Sequence, residues 1–152
     1  MNDIADAIND LHRGTFAELL GLTVQSASRD EVIAQVTVAP SHHQPHGIVH
    51  GGVYASIIES LASIGAALDA MPQGRTAVGL DNHTSFVRAT REGVLTCRAV
   101  PVTRGRRSQL WDATIHNQAG ELVASGRVRL LVLEGDATVA GSELKTPTTS
   151  AQ

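Results

Sequence analysis

The chain has one cysteine, only a small surplus of acidic over basic residues and no apparent internal repeat. Each absence closes off a class of function. A single thiol, Cys97, cannot form an internal disulfide, and a lone cysteine in a strand-like segment reads as small core filling. Apolar residues make up 42% and charged residues 18% of 152, with a formal net charge of -3, a balance that suits neither a disordered chain nor a nucleic-acid-binding one. The start, Met1-Asn2-Asp3-Ile4-Ala5-Asp6, is acidic and does not look like a secretory leader. No apolar run is expected to approach the roughly 20 residues that cross a bilayer. The expectation is one soluble domain in the cytoplasm.

What is present centres on one stretch. Gln44-Pro45-His46-Gly47-Ile48-Val49-His50-Gly51-Gly52 runs directly into Val53–Leu68, whose residues are apolar on almost every side. A helix of that kind is expected to be wrapped by other elements rather than laid on a surface. One carboxylate, Glu59, lies in its middle, and a charge on a buried helix must be paired, neutralised or put to work.

Before that stretch, Ile4, Ala7, Ile8 and Leu11, then Phe16, Leu19 and Leu20, follow a helical spacing interrupted at Gly14, so a helix, a kink and a short turn ending at Gly21 are expected. Period-two segments follow at 22–28 and 32–38, joined by a turn at 28–31. After the helix, closed at Met71-Pro72-Gln73-Gly74, four strand-like runs cover 76–88, 94–103, 108–117 and 122–133. Their connections are too short for parallel crossovers, so the strands are antiparallel neighbours. The domain is placed at 1–134, with 135–152 a mobile tail rich in Gly, Thr, Ser and Pro.

The arrangement resembles the hotdog fold, an α+β fold in which an antiparallel sheet wraps one long central helix, and within it the acyl-CoA thioesterases of the Arthrobacter 4-hydroxybenzoyl-CoA, dihydroxynaphthoyl-CoA and enterobactin-pathway kinds. The residues that carry the resemblance are Gly47-Ile48-Val49-His50-Gly51-Gly52 with Glu59, supported by Ala77-Val78-Gly79, Asn82-His83, Arg88, Glu92-Gly93, Gly105 and Trp111. It covers roughly residues 19–133. It implies hydrolysis of an acyl- or aroyl-CoA to free acid and coenzyme A, with Glu59 as nucleophile or general base and the Gly51 amide polarising the thioester carbonyl. It also implies Gln44 and His50 near the acyl carbonyl, Ser63 beside the attacking water, and His83 as a substrate contact. No cofactor is implied, coenzyme A being part of the substrate, and the assembly is a homodimer or homotetramer. Where the benzoyl-specific member has small hydroxylated residues after the glycine, this chain has Arg106 and Arg107.

Elementary chemistry agrees with these roles. Thioester hydrolysis needs a donor where the carbonyl oxygen gains charge and a carboxylate to attack or to activate water. A helix start supplies free N–H groups, and Gly51 and Gly52 let a ligand come close to them. Yet eight positions separate Gly51 from Glu59, about 12 Å along one helix axis. A symmetric dimer removes the difficulty by setting Gly51 of one copy against Glu59 of the other. Glu59 and Ser63, four apart, share a face.

Other readings stand beside these. Glu59 as a structural buried acid is the plain alternative. The histidines at 42, 43, 46 and 50 lack metal-ligand spacing, so no metal is assigned. Arg104, Arg106 and Arg107, with Arg88 and Arg91 on another connection, suit coenzyme A phosphates or a solvated turn equally. Trp111 reads as core packing, and Asp81 and Asp112 have no evident partner. Two rival functions are an enoyl-thioester hydratase, which would want an Asp where none lies between Pro40 and Leu68, and a non-catalytic acyl-CoA-binding protein, which has no need of Glu59.

Overall fold

The computed structural model describes residues 3–144. Helices α1 (Asp3–Leu11) and α2 (Phe16–Leu19) lead into strands β1 (Thr23–Ala27) and β2 (Val32–Thr37); helix α3 (Gly51–Ala70) follows, then β3 (Arg75–Phe86), β4 (Val94–Arg104), β5 (Ser108–His116) and β6 (Leu122–Glu134). The break between α1 and α2 falls at Gly14, whose φ of 72° suits glycine. Six strands form one antiparallel sheet in the order β1-β2-β4-β5-β6-β3, curled around α3. This is the α+β hotdog fold.

Local chemistry sets the limits of α3. His50 caps its start by accepting the Gly52 N–H on Nδ1 at 2.8 Å, the role a polar side chain plays at that position. At the far end Pro72 lies in a single tight turn that closes at Gly74, where φ is 68°. Tyr54, Ile57, Ile58, Leu61, Ala62, Gly65 and Ala66 are buried against the sheet. Gly65 is required there, because a Cβ would stand 2.2 Å from the Trp111 ring. Trp111 is completely buried, as its reading as core packing anticipates. So is Cys97, nearly, and burial pushes its thiol up to about 12, which keeps it protonated and inert.

The sheet does not enclose α3 on all sides. Gly52, Ser56, Glu59, Ser63 and Ala67 form a stripe of which no member is buried, so the expectation of a fully wrapped helix holds for one face only. The expectation about apolar runs is corrected too. Gly51–Gln73, 23 residues, is long and apolar enough to cross a bilayer by length and composition. Here one side of it lies in the core of the sheet.

Cross-strand register finds partners for two acids that had none in the sequence. Asp81 lies opposite Arg129, which donates to it at 2.8 Å, and Asp112 faces Arg127 in a two-pronged pair at 2.6 and 2.8 Å. Within the segment read as a tail, the described residues include a short hairpin. Thr138–Val139 (β7) pairs with Ser142–Glu143 (β8) across Ala140 and Gly141, both at positive φ, as in the tight hairpin turn whose twist matches the strands. The remainder of the expected mobile tail lies outside the described residues.

Candidate active site

Strand β3 runs back alongside α3 and meets it at successive points. Phe86 packs on Gly51, the Asn82 amide donates to the Ala55 carbonyl at 2.9 Å, and Gly79 lies beneath the Glu59 carboxylate. A bulge between Gly79 and Asp81 interrupts the ladder at this point, a feature that bends a strand and re-aims what it carries. Asn82 is itself held by the Thr84 hydroxyl, which donates to its Oδ1 at 2.7 Å.

Glu59 is exposed in the single chain, and among the described residues it has no hydrogen-bond or ion-pair partner. The expectation of a buried, compensated charge is therefore not met within one chain; the helix face around it is open instead. Ser63, one turn further on, is half-buried, and among the described residues its hydroxyl also has no partner.

At the helix start the Gly52 N–H is taken by the His50 ring, leaving the Gly51 N–H without an acceptor among the described residues. With Nδ1 accepting, a neutral His50 carries its proton on Nε2. The glycines have concrete reasons to be small. A Cβ at 51 would stand 2.5 Å from the Phe86 ring, and one at 52 would stand 2.9 Å from His50 Nδ1. A cavity of about 250 Å³ opens beside Gly51, lined by Gln44, Ile48, Tyr54, Phe86 and Arg88 among others. Gln44 Oε1 accepts the His46 N–H at 2.9 Å, which fixes the orientation of its amide. The Tyr54 hydroxyl is buried, and desolvation raises its pKa, so the phenol is neutral.

The loop that carries Gln44 is held by the connection between β3 and β4. Val49 N–H donates to Thr90 O at 2.8 Å, and Arg91 Nη1 donates to the carbonyls of His46 at 3.0 Å and Gly47 at 2.9 Å. His43 Nε2 lies 2.6 Å from Arg91 O.

One chain brings Gln44, His50, Gly51, Gly52 and Arg88 to one end of α3 and Glu59 with Ser63 to its middle. It does not bring Gly51 and Glu59 together, which lie about 12 Å apart along the axis. His83 alternates with Asn82 and Thr84 and so faces the outer side of the sheet, beside Asp112 and Arg127. The arginines do not form one cluster. Arg88 sits at the Gly51 end and pairs with Glu121 at 3.6 Å, whereas Arg104 and Arg106 line a cavity with Asp69, a helix length away, and Arg107 follows them in the β4–β5 connection. Arg104 is committed there, donating to Asp30 at 2.7 Å and to Arg29 O at 2.9 Å. Among the described residues no group of three His, Cys, Asp or Glu side chains is placed to hold a metal ion.

A family model described as the thioesterase superfamily matches residues 46–124, the helix and most of the strands that carry this site. The chain belongs to the thioesterase superfamily. It is 43% identical over 121 residues to a protein of Mycobacterium tuberculosis named as an esterase, spanning 78% of this chain and 86% of that one. The solved structure of that mycobacterial protein superposes with a TM-score of 0.77, covering 78% of this chain and 96% of that one at 43% identity. A Haemophilus influenzae thioesterase structure gives a TM-score of 0.81 at 30% identity, covering 86% and 90% of the two chains. The proofreading thioesterase EntH of Cronobacter sakazakii is 30% identical over 128 residues, spanning 84% of this chain and 93% of that one. These likenesses support a thioester hydrolase of the superfamily at large and not specifically one of the Arthrobacter 4-hydroxybenzoyl-CoA type.

Several residues that shape this thioesterase's site were not picked out from the sequence in that role. Phe86 was not named at all, and Gly79 and Arg91 were named without these contacts, which join residues 20 to 45 positions apart and which no local pattern announces. Asp69 is another: only 8% of its side chain is exposed, Gln109 donates to its Oδ2 at 2.9 Å and in turn accepts the Trp111 N–H at 2.8 Å, while Arg29 lies 3.1 Å from Oδ1. Its position at the end of an apolar helix, where a carboxylate needs buried partners, is the signal that was available.

Proposed function

We propose that the protein hydrolyses an acyl- or aroyl-CoA to the free acid and coenzyme A, in the cytoplasm, at two equivalent sites shared between two copies of the chain. Glu59 of one copy attacks the thioester carbonyl or takes a proton from the water that does; the Gly51 N–H of the other receives the developing oxyanion. Gln44 and His50 orient the acyl carbonyl and Ser63 the water. Water adds across the C–S bond, the carbon keeping the hydroxyl and the sulfur the proton. Arg88, Arg104, Arg106, Arg107 and His83 are the candidate contacts for the rest of the coenzyme A moiety.

The observation that carries this reading is the pair of uncommitted groups on α3, a carboxylate on the uncovered face and a free amide at its start, too far apart to serve one carbonyl within one chain. An antiparallel pairing of two α3 helices brings each to the other. Support for such a pairing comes from β3, a 12-residue strand bonded on one side only, which exposes Leu80 at 52% and Phe86 at 61%, with Val87, 55% exposed, just past its end. A long unpaired edge that carries exposed apolar side chains invites a second copy. Four copies would arise by pairing of two such dimers.

The test is thiol release from acyl-CoA substrates by the wild type and by Glu59→Ala. The alanine variant is expected to lose about a hundredfold or more in kcat, on the usual scale for a catalytic base, with little change in thermal stability because the carboxylate makes no hydrogen bond or ion pair among the described residues of its own chain. Undiminished turnover would contradict the reading.

A further inference from the structure

The uncovered face of α3 does not end at Ser63. Beyond it lies an apolar groove of about 660 Å³, floored by Ser63 and Ile64 of α3 and by Met71 just past its end, and walled by Ile4, Ile8 and Leu11 of α1. The wall is fixed in place, since Asn9 of α1 makes two bonds to the backbone of Val24 in β1, accepting at 2.8 Å and donating at 2.9 Å, and Ala5 is buried. Ile4 and Leu11 are nonetheless 48% and 42% exposed, apolar side chains bordering an open trough.

The shared site proposed above decides what fills it. If the partner's Gly51 stands opposite Glu59, two antiparallel helices overlap only from Gly51 to Glu59, because each begins at Gly51. The partner helix itself therefore does not reach the portion from Ser63 to Met71, and the groove opens one helical turn from the reacting carbonyl. We infer that this groove receives the acyl group, and that α1 selects an unbranched aliphatic chain over a compact aromatic acid; this rests on the thioesterase reading of the Glu59 site. Ser63 to Met71 spans eight positions, about 12 Å of helix. A zigzag of carbon–carbon bonds of ~1.5 Å advances roughly 1.25 Å per atom, so the trough matches a chain of about ten carbons. A benzoyl group would leave most of it empty, whereas each added methylene takes apolar surface out of water.

The experiment compares kcat/KM for acetyl-, butanoyl-, octanoyl-, decanoyl-, dodecanoyl- and benzoyl-CoA in the wild type, in Ala67→Phe, which fills the groove, and in Ile4→Glu, which places a charge on its exposed wall and does not threaten the core. In the wild type kcat/KM is expected to rise roughly threefold per carbon up to about decanoyl and to exceed that for benzoyl-CoA. Both variants are expected to lower the decanoyl-to-butanoyl ratio at least tenfold, with the molar mass in solution unchanged. A flat chain-length profile, a preference for benzoyl-CoA, a ratio that neither variant alters, or a change of oligomeric mass in Ile4→Glu would overturn the inference. Those results can all coexist with turnover that depends on Glu59. Loss of the underlying reading has a different signature, namely turnover unaffected by Glu59→Ala or no thiol release from any of the six.

Discussion

The carboxylate of Glu59 rests over Gly79, its Oε1 3.2 Å from where the first side-chain carbon of any other residue at position 79 would stand. The small residue on β3 is what allows the acid to lie down toward the strand, next to the bulge at Leu80. Gly79→Val should therefore displace the carboxylate without touching the core. A fall in kcat of roughly ten- to a hundredfold is expected, the range that follows from misplacing a catalytic group by about an ångström, and Tm should fall only slightly. Steady-state kinetics beside a thermal melt checks both.

Arg91 joins the loop that carries Gln44 to the β3–β4 connection through two carbonyls at once. A lysine has one compact charge where the guanidinium has a fork, so Arg91→Lys should recover only part of what Arg91→Ala loses. Losses of about five- to thirtyfold in kcat/KM are expected for alanine, shared between KM and kcat because Gln44 and the helix start are both misplaced. Amide exchange at Val49 and His50 should quicken in the same variant.

Much of the fold was legible because its signals are local. Periodicity marked the strands to within a residue or two, Gly14 marked the break between α1 and α2, and Pro72 with Gly74 marked the end of α3. The site was legible where one stretch holds it: His50, Gly51 and Gly52 lie at the helix start as expected. What stayed hidden depends on distant contacts. Nothing within a single strand reveals that Asp81 meets Arg129, that Phe86 covers Gly51, or that His83 faces away from Asn82's helix contact. The uncovered stripe of α3 did leave a local trace, since Gly52, Ser56, Glu59 and Ser63 recur at helical spacing as small or polar residues among the buried Ile57, Ile58 and Leu61.

Acid should weaken the loop that leads into α3. Burial lowers the pKa of His42, helped by the neighbouring charge of His43 and opposed by a bond to the Leu20 backbone; burial likewise lowers that of His12, against a bond to Leu22. Both start from 6.5 in the unfolded chain. A folded state that binds protons less readily than the unfolded one has its full stability above about pH 6.5 and loses it as pH falls from there toward the lowered values. Melting at pH 5 should therefore come at a lower temperature than at pH 7.5. His42 Nδ1 accepts the Ala39 N–H at 3.1 Å, a bond an amide oxygen can replace, so His42→Asn should reduce the difference between the two pH values. An undiminished difference would place the acid sensitivity elsewhere.

The shared site is tested most directly by making mixed dimers. One chain carries Glu59→Ala. The other carries Gly51→Pro, which removes the N–H at a helix position that accepts proline, together with Phe86→Ala to clear the ring that stands 2.5 Å from the added carbon. Each homodimer should be nearly inactive. In the mixed dimer, purified through two different tags, one site combines both intact groups and the other combines both defects, so about half the wild-type turnover per dimer is expected. Mixed dimers no more active than the average of the two parents would show that Gly51 and Glu59 do not meet across two chains.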